Sequence, residues 1–321
     1  VITLVDPSNT IQILRYEPSR SSVWNAWVAA AKNGSFLFQR GYMDYHADRF
    51  SDHSLMFVQN GELIAILPAN ERDGVLQSHG GLTYGGLVVG RRMKSSLMLH
   101  VLEALVAYLR ERDFKKLIYK AVPHIYHAMP AEEDLYALFR MDAKLIRRDV
   151  SSAIASAHRE PLSKGRKWSS SRLAREQVEI GESLDYAGFM AMLAAHLQAR
   201  HGVDPTHTSA EMLLLSSRFP ANIRLFVAKK NETLLGGVLM YLNARVAHAQ
   251  YIASTPEGRA VGATDGVILH ILDRMFVSTP YFDFGISTEN SGRYLNSGLA
   301  SYKEGFGARA VVYDTYALDV A

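Results

Sequence analysis

The chain has 321 residues, of which 48% are hydrophobic and 21% charged, and a formal net charge of +3. That length predicts two domains, and the composition excludes a disordered, collagenous or membrane-spanning chain. The absence of cysteine excludes disulfides, thiolate metal sites and a cysteine nucleophile, and the mild charge suits anionic small substrates such as coenzyme A or a nucleotide sugar better than nucleic acid.

The segment 1–25 shows no basic stretch followed by an apolar run, and no apolar run approaches the roughly 20 residues of a membrane span, so the expectation is a cytoplasmic protein with no signal peptide and no membrane span. Trp24 to Lys32 reads as an opening helix. Leu55 to Val58 and Leu63 to Leu67 are strand-like runs around the turn chemistry of Asn60-Gly61. Leu82 to Val89 reads as a third strand. After the basic turn Gly90 to Lys94, the recurrence of Leu97, Val101, Leu105 and Leu109 marks one face of a helix. A strand (Lys116 to Tyr119), a helix (Glu132 to Arg140) and a closing strand (Leu145 to Val150) follow.

The same order then repeats. A helix over Leu184 to Arg200 leads to a hairpin, Leu225 to Ala228 and Leu234 to Tyr241, around Lys229 to Glu232. Val246 to Ala253 is the next strand and Pro256 to Thr264 a loop. Val267, Ile271 and Met275 make a helix face with Ile268 and Leu272. Tyr281 to Phe284, Ser297 to Gly305 and Ala310 to Tyr316 read as strand, helix and strand. Each half is thus a mixed α/β sheet with helices on its faces. The boundary falls near Ser151, giving domains 1–150 and 151–321. The intervening 151–177 carries Lys164, Arg166, Lys167, Arg172 and Arg175, which read as a solvated helix face rather than a phosphate or transfer-RNA site.

Tyr281-Phe-Asp-Phe-Gly285, Asn296-Ser-Gly-Leu299 and Tyr302-Lys-Glu-Gly-Phe-Gly307 resemble the C-terminal motifs of the Fem-type aminoacyltransferases and their acetyltransferase-like relatives, which are built from tandem GCN5-related N-acetyltransferase (GNAT) domains. Tyr302 stands where Phe is usual. The resemblance implies an N-acyltransferase of bacterial cell-envelope or polysaccharide metabolism, taking acetyl-CoA or another acyl-CoA as co-substrate. A small-molecule amine acceptor, an amino sugar or amino acid derivative, would enter between the domains. No long heptad insertion matches the helical arm of the Fem enzymes, so transfer from an aminoacyl-tRNA is the alternative. A degenerate, non-catalytic binding module is a second one. No feature of the sequence reports the oligomeric state.

Arg259-Ala-Val-Gly262-Ala263-Thr264 is similar to the GNAT pyrophosphate loop, with Thr in place of the final Gly or Ala. Small residues at a helix start let a phosphate approach backbone N–H groups, and the place of the loop after a strand favours that reading over a plain glycine-containing loop with Thr264 as helix cap. Asp283 is either an acceptor-holding carboxylate or base, or a structural cap for 286–289. Lys303 is either a solvated helix lysine or an oxyanion donor, and the surrounding motif implies the latter. His248 and Tyr251 are the candidate base and thiolate donor, each balanced by an ordinary half-buried strand role. Asn290, Arg293, Asn296 and Tyr302 are expected to orient the acceptor. Tyr84, Tyr126 and His127, at strand ends of the first half, are candidate substrate contacts, with a purely structural loop as the alternative. His124 and His127 have no carboxylate at ligand spacing, which argues against a metal.

Overall fold

The computed structural model describes residues 10–274 and 279–320. Met275, expected on a helix face, lies outside them, as do the first nine residues. The chain divides into two compact units. Unit 1 takes the residues up to Asp149 with Ser291–Arg293 and those from Val312 onward; unit 2 takes Val150–Asn290 and Tyr294–Val311.

Unit 1 builds, in chain order, β1 (Ile11–Arg15), α1 (Ser21–Ala30), α2 (Arg40–Met43), β2 (Ser51–Asp52), β3 (Leu55–Gln59), β4 (Glu62–Leu67), β5 (Asn70–Arg72), β6 (Val75–Gln77), β7 (Val88–Val89), α3 (Ser95–Arg110), β8 (Lys116–Lys120) and α4 (Glu133–Arg140), and the strand β9 (Lys144–Ala155) begins in it. The β3–β4 hairpin turns through Asn60 and Gly61 at φ +52° and +79°, the positive pair that a type I′ turn needs. Val101, Leu105 and Leu109 of α3 are fully buried against Leu55 and Phe57 of β3 in one core. One sheet has the order β1-β3-β4-β7. In the other, β8 lies between β6 and Thr315–Asp319 of the C-terminal strand.

The expected strand Leu82 to Val89 is only Val88–Val89. Its glycines explain the difference. A Cβ on Gly85 would stand 1.9 Å from the Ser78 carbonyl oxygen, and Gly86 sits at φ +80°, so this stretch folds back on itself. Leu87 N–H donates to the Tyr119 hydroxyl at 2.8 Å rather than to a strand.

Unit 2 builds α5 (Lys164–Arg175), β10 (Glu179–Ser183), α6 (Tyr186–His201), α7 (Ser209–Arg218), β11 (Ile223–Lys230), β12 (Thr233–Leu242), β13 (Val246–Ser254), α8 (Pro256–Val261), α9 (Ala263–Arg274), β14 (Tyr281–Ile286), β15 (Thr288–Glu289), β16 (Tyr294–Leu295) and α10 (Ser297–Glu304), and the strand β17 (Arg309–Asp319) begins in it and continues into unit 1. Its sheet runs β10-β11-β12-β13-β14-β9, antiparallel except for the parallel β13–β14 pair. Val267, Ile268, Ile271 and Leu272 of α9 are buried in a core with Val238, Met240, Phe282 and Phe306.

Two sequence expectations change here. The predicted loop Pro256 to Thr264 is the helix α8, a left-handed Gly262 (φ +79°) and the start of α9. Pro256 occupies the first turn, where no N–H is needed, and Thr255 caps it by accepting from Gly258 N–H at 3.0 Å. Thr264 lies inside α9 and is not its cap. The closing strands also change places. Residues 151–155 of β9 pair with β14 in unit 2, and Thr315–Asp319 of β17 pair with β8 in unit 1.

Candidate functional site

The parallel pairing of β13 with β14 ends at His248 and Asp283. β13 continues to Ser254, whereas β14 turns at Gly285, φ +78°, with its register against β9 shifting between Asp283 and Ile286. Beyond His248 the β14-facing edge of β13 therefore lacks a partner strand. A cavity of about 680 Å³ occupies this part of unit 2, lined by Ile252, Ala253 and Ser254 of β13 and by residues of α5, α6, α8, α9 and α10.

Lys303 is the cation of its α10 wall. It is 3% exposed, and its Nζ donates to the carbonyl oxygens of Gly285 and Ile286, each at 2.7 Å. An ammonium has three donors, so one remains after these two bonds. Burial lowers its pKa to about 8, with Asp283 pulling the other way. Asp283 does not line the cavity. Fully buried, its carboxylate accepts from Ser151 Oγ, from Gly285 N–H at 3.2 Å and from His248 Nδ1–H at 2.8 Å. It thus fixes the turn whose carbonyls hold Lys303, and it holds the ring of the buried His248.

At the start of α9, Gly262 and Thr264 line the cavity, while Ala263 is fully buried beneath them. Arg259 lies on the same wall and donates through one nitrogen to Ser254 O at 3.1 Å and to His196 Nδ1 at 3.2 Å. Tyr302, also on the wall, donates to Asp265 Oδ1 at 3.0 Å; burial and Asp265 raise its pKa. Arg166 of α5 pairs with the other oxygen of Asp265, its guanidinium 4.5 Å from the centre of the Tyr302 ring. Asn296 caps α10 and lines the cavity too.

The other residues named from the sequence lie elsewhere. The Tyr251 hydroxyl meets His207 Nδ1 at 2.6 Å, and burial raises its pKa. Asn290 and Arg293 are exposed in the turn after β15. Tyr84, Tyr126 and His127 belong to unit 1 and are buried. The Tyr84 and Tyr126 rings lie 4.4 Å apart, the Tyr126 hydroxyl accepts from Tyr313 at 3.2 Å, and His127 Nε2 meets Val122 O at 2.9 Å. Among the described residues no group of three His, Cys, Asp or Glu side chains is placed to hold a metal, and no helix is long and apolar enough to cross a membrane.

Sequence reasoning missed Asp265, His196, Arg200 and Ser169, and it read Arg166 as solvated; all five line the cavity. His196 and Arg200 stand four apart on α6, a spacing that puts both on one helix face and was available as a signal. Arg166 and Asp265 are 99 residues apart, so nothing local announces their pairing.

Residues 156–304 match the family model of the acetyltransferase (GNAT) domain. No curated protein sequence matches the chain. Among solved structures, FemX superposes with a TM-score of 0.66 at 10% identity, over 94% of this chain and 96% of that one. The C-terminal domain (DUF2156) of a putative lysylphosphatidylglycerol synthetase from Agrobacterium fabrum gives 0.63 at 12% identity, over 94% and 93%. A tandem GNAT protein from the clavulanic acid biosynthesis pathway gives 0.51 at 12%, over 97% and 99%. Identities this low speak for the fold. Residues 156–304 thus match a GNAT acetyltransferase domain, and the chain as a whole has a mixed α/β fold similar to that of FemX and of the tandem GNAT protein.

Proposed function

We propose that unit 2 transfers an acyl group, acetyl being the first to test, from a CoA thioester to the amine of an amino sugar or amino acid derivative. One observation carries this reading. The cavity beside the unpaired edge of β13 brings together the first turn of α9, the guanidinium groups of Arg259 and Arg200, and the ammonium of Lys303. A phosphorylated donor fits these residues. The N–H groups at the start of α9 and the small Gly262 suit a pyrophosphate, with Arg259 and Arg200 adding charge. The free edge of β13 offers main-chain groups to an extended amide-bearing arm.

The reaction needs few further parts. The amine nitrogen attacks the thioester carbonyl, a C–N bond forms, and the C–S bond breaks, the thiolate leaving with a proton. Lys303 donates to the carbonyl oxygen as negative charge gathers there. Asp283 serves from beneath as a positioning residue, holding His248 and the Gly285 turn. Positioning and charge stabilisation suffice without a covalent enzyme intermediate.

A second reading, transfer from an aminoacyl-tRNA, draws on the exposed Lys164, Lys167 and Arg175, which share α5 with the cavity-lining Arg166. Incubation with acetyl-CoA and a panel of amines, scored by thiol release and by the mass of the new amide, separates the two. Amide formation supports the CoA reading. No thiol release from any acyl-CoA, with product formed from a charged transfer RNA, would replace it with the second.

A further inference from the structure

Glu289 also lines the cavity, at the end of β15, and the donor contacts leave it unused. Its Oε1 accepts from Asn296 Nδ2 at 2.9 Å. Asn296 is itself held as the N-cap of α10, its Oδ1 accepting from Leu299 N–H at 3.0 Å. The carboxylate is therefore aimed by a side chain that a helix end keeps in place. Its Oε2 has no partner among the described residues. Two large, partly exposed side chains stand near it. Leu299 lines the same cavity and is 40% exposed, and Tyr294, 56% exposed, stands directly opposite Glu289 in the β15–β16 pair, on the same face. Large side chains left in water around one oriented carboxylate match a ligand that has a cation at one end and an apolar body at the other.

We infer that the β15–β16 hairpin and the first turn of α10 form the acceptor site, and that the acceptor is a primary ammonium on an apolar or aromatic body. The ammonium docks at Glu289 Oε2 and the body lies over Leu299 and Tyr294. This rests on the acyl-transfer reading and narrows it. An amino sugar would set hydroxyl groups against Leu299 and Tyr294, and a free α-carboxylate on an amino acid, next to its ammonium, meets the like charge of Glu289. Of the two protons the ammonium gives up on becoming an amide, one leaves with the thiolate as thiol and the other passes through Glu289 to solvent.

The test uses phenethylamine, hexylamine, phenylalanine and glucosamine as probes, with acetyl-CoA. Phenethylamine binding is also followed directly by NMR titration without donor. The two apolar amines should exceed phenylalanine and glucosamine in kcat/KM by roughly 10-fold or more, and Glu289→Gln should raise their KM and the phenethylamine Kd by about 10-fold, as loss of a charge-assisted hydrogen bond does. Leu299→Ser should weaken the apolar amines several-fold and leave glucosamine unchanged. The Kd of acetyl-CoA, read by calorimetry, should stay constant in both variants. Equal use of glucosamine and phenethylamine, or phenethylamine binding indifferent to Glu289→Gln, would overturn the acceptor assignment. Loss of acetyl-CoA binding in the unaltered protein, with phenethylamine still held by Glu289, would overturn the donor instead.

Discussion

Both units carry a hairpin and, after it, a strand, helix and further strand, with β5 and β6 inserted in unit 1, yet they treat the gap beside that further strand differently. In unit 2 the gap beyond the last paired residues of β13 and β14 is a cavity. In unit 1 the corresponding strands, β7 and β8, belong to different sheets, and the chain fills the space itself. Leu87 N–H and Asp134 Oδ2, the latter at 2.6 Å, both bond the Tyr119 hydroxyl, and Tyr84 packs on Tyr126. Two lysines sharpen the contrast. Lys120 of unit 1 donates to the carbonyls of Gly80 and Leu82, and burial lowers its pKa to about 8, as for Lys303. Of the two, Lys303 lines the cavity and Lys120 does not. A displaced pKa therefore marks burial first, and marks a site only where space for a substrate adjoins it.

Paired substitutions test that difference, the largest effect on activity first. Lys303→Ala should lower turnover by roughly 100-fold or more, the range for a lost oxyanion donor, with donor binding retained. Lys120→Ala should lower the melting temperature and leave turnover per folded molecule unchanged. Steady-state kinetics beside thermal melts separate these outcomes, and equal losses of turnover in both variants would break the comparison.

The glycines make a second pair. Gly262→Val places a side chain at φ +79° on the cavity wall, 3.2 Å from Ser169 Cβ, and should weaken acyl-CoA binding by about 10-fold or more. In Gly86→Val the new Cβ would meet the Tyr119 hydroxyl at 2.8 Å, also at positive φ. That variant should lose about 3 kcal/mol of stability or more, from overpacking and backbone strain together. Its folded fraction should bind donor normally in calorimetry.

Much of the frame was legible in the sequence. Asn60-Gly61 announces a type I′ turn, and the four-residue recurrence from Leu97 to Leu109 announces a helix face, because both signals are local. The α8–α9 break was misread for an equally local reason. Pro256, Gly258 and Gly262 look like loop punctuation, but Pro at a first turn and Gly at a left-handed cap also begin and end helices. The site was half legible. Lys303, Gly262, Arg259, Asn296 and Tyr302 were named from motif positions and reach the cavity. Asp283 was named too, and lies beneath it. Arg166 and Glu289 could not be placed, since their environments are made by tertiary packing that no window contains.

Two smaller effects follow from the titrating groups. Lys303 is charged below its pKa of about 8 and neutral above it, so its part in turnover is lost as pH rises through that value. A falling limb near pH 8 in the kcat profile should result, and Lys303→Arg, always charged, should move that limb upward. Asp134 in unit 1 has its pKa raised to about 6 by burial. The native state then binds more protons than the unfolded chain between its ordinary value and about 6, so stability falls as pH rises across that window. Asp134→Asn should flatten the fall in denaturant melts and leave turnover alone.

The claim that one unit holds the donor is met most directly by calorimetric titration of the intact protein with acetyl-CoA. One site per chain is expected, weakened by Gly262→Val and untouched by Lys120→Ala. Two sites per chain, or a single site insensitive to Gly262→Val and lost in Lys120→Ala, would contradict it.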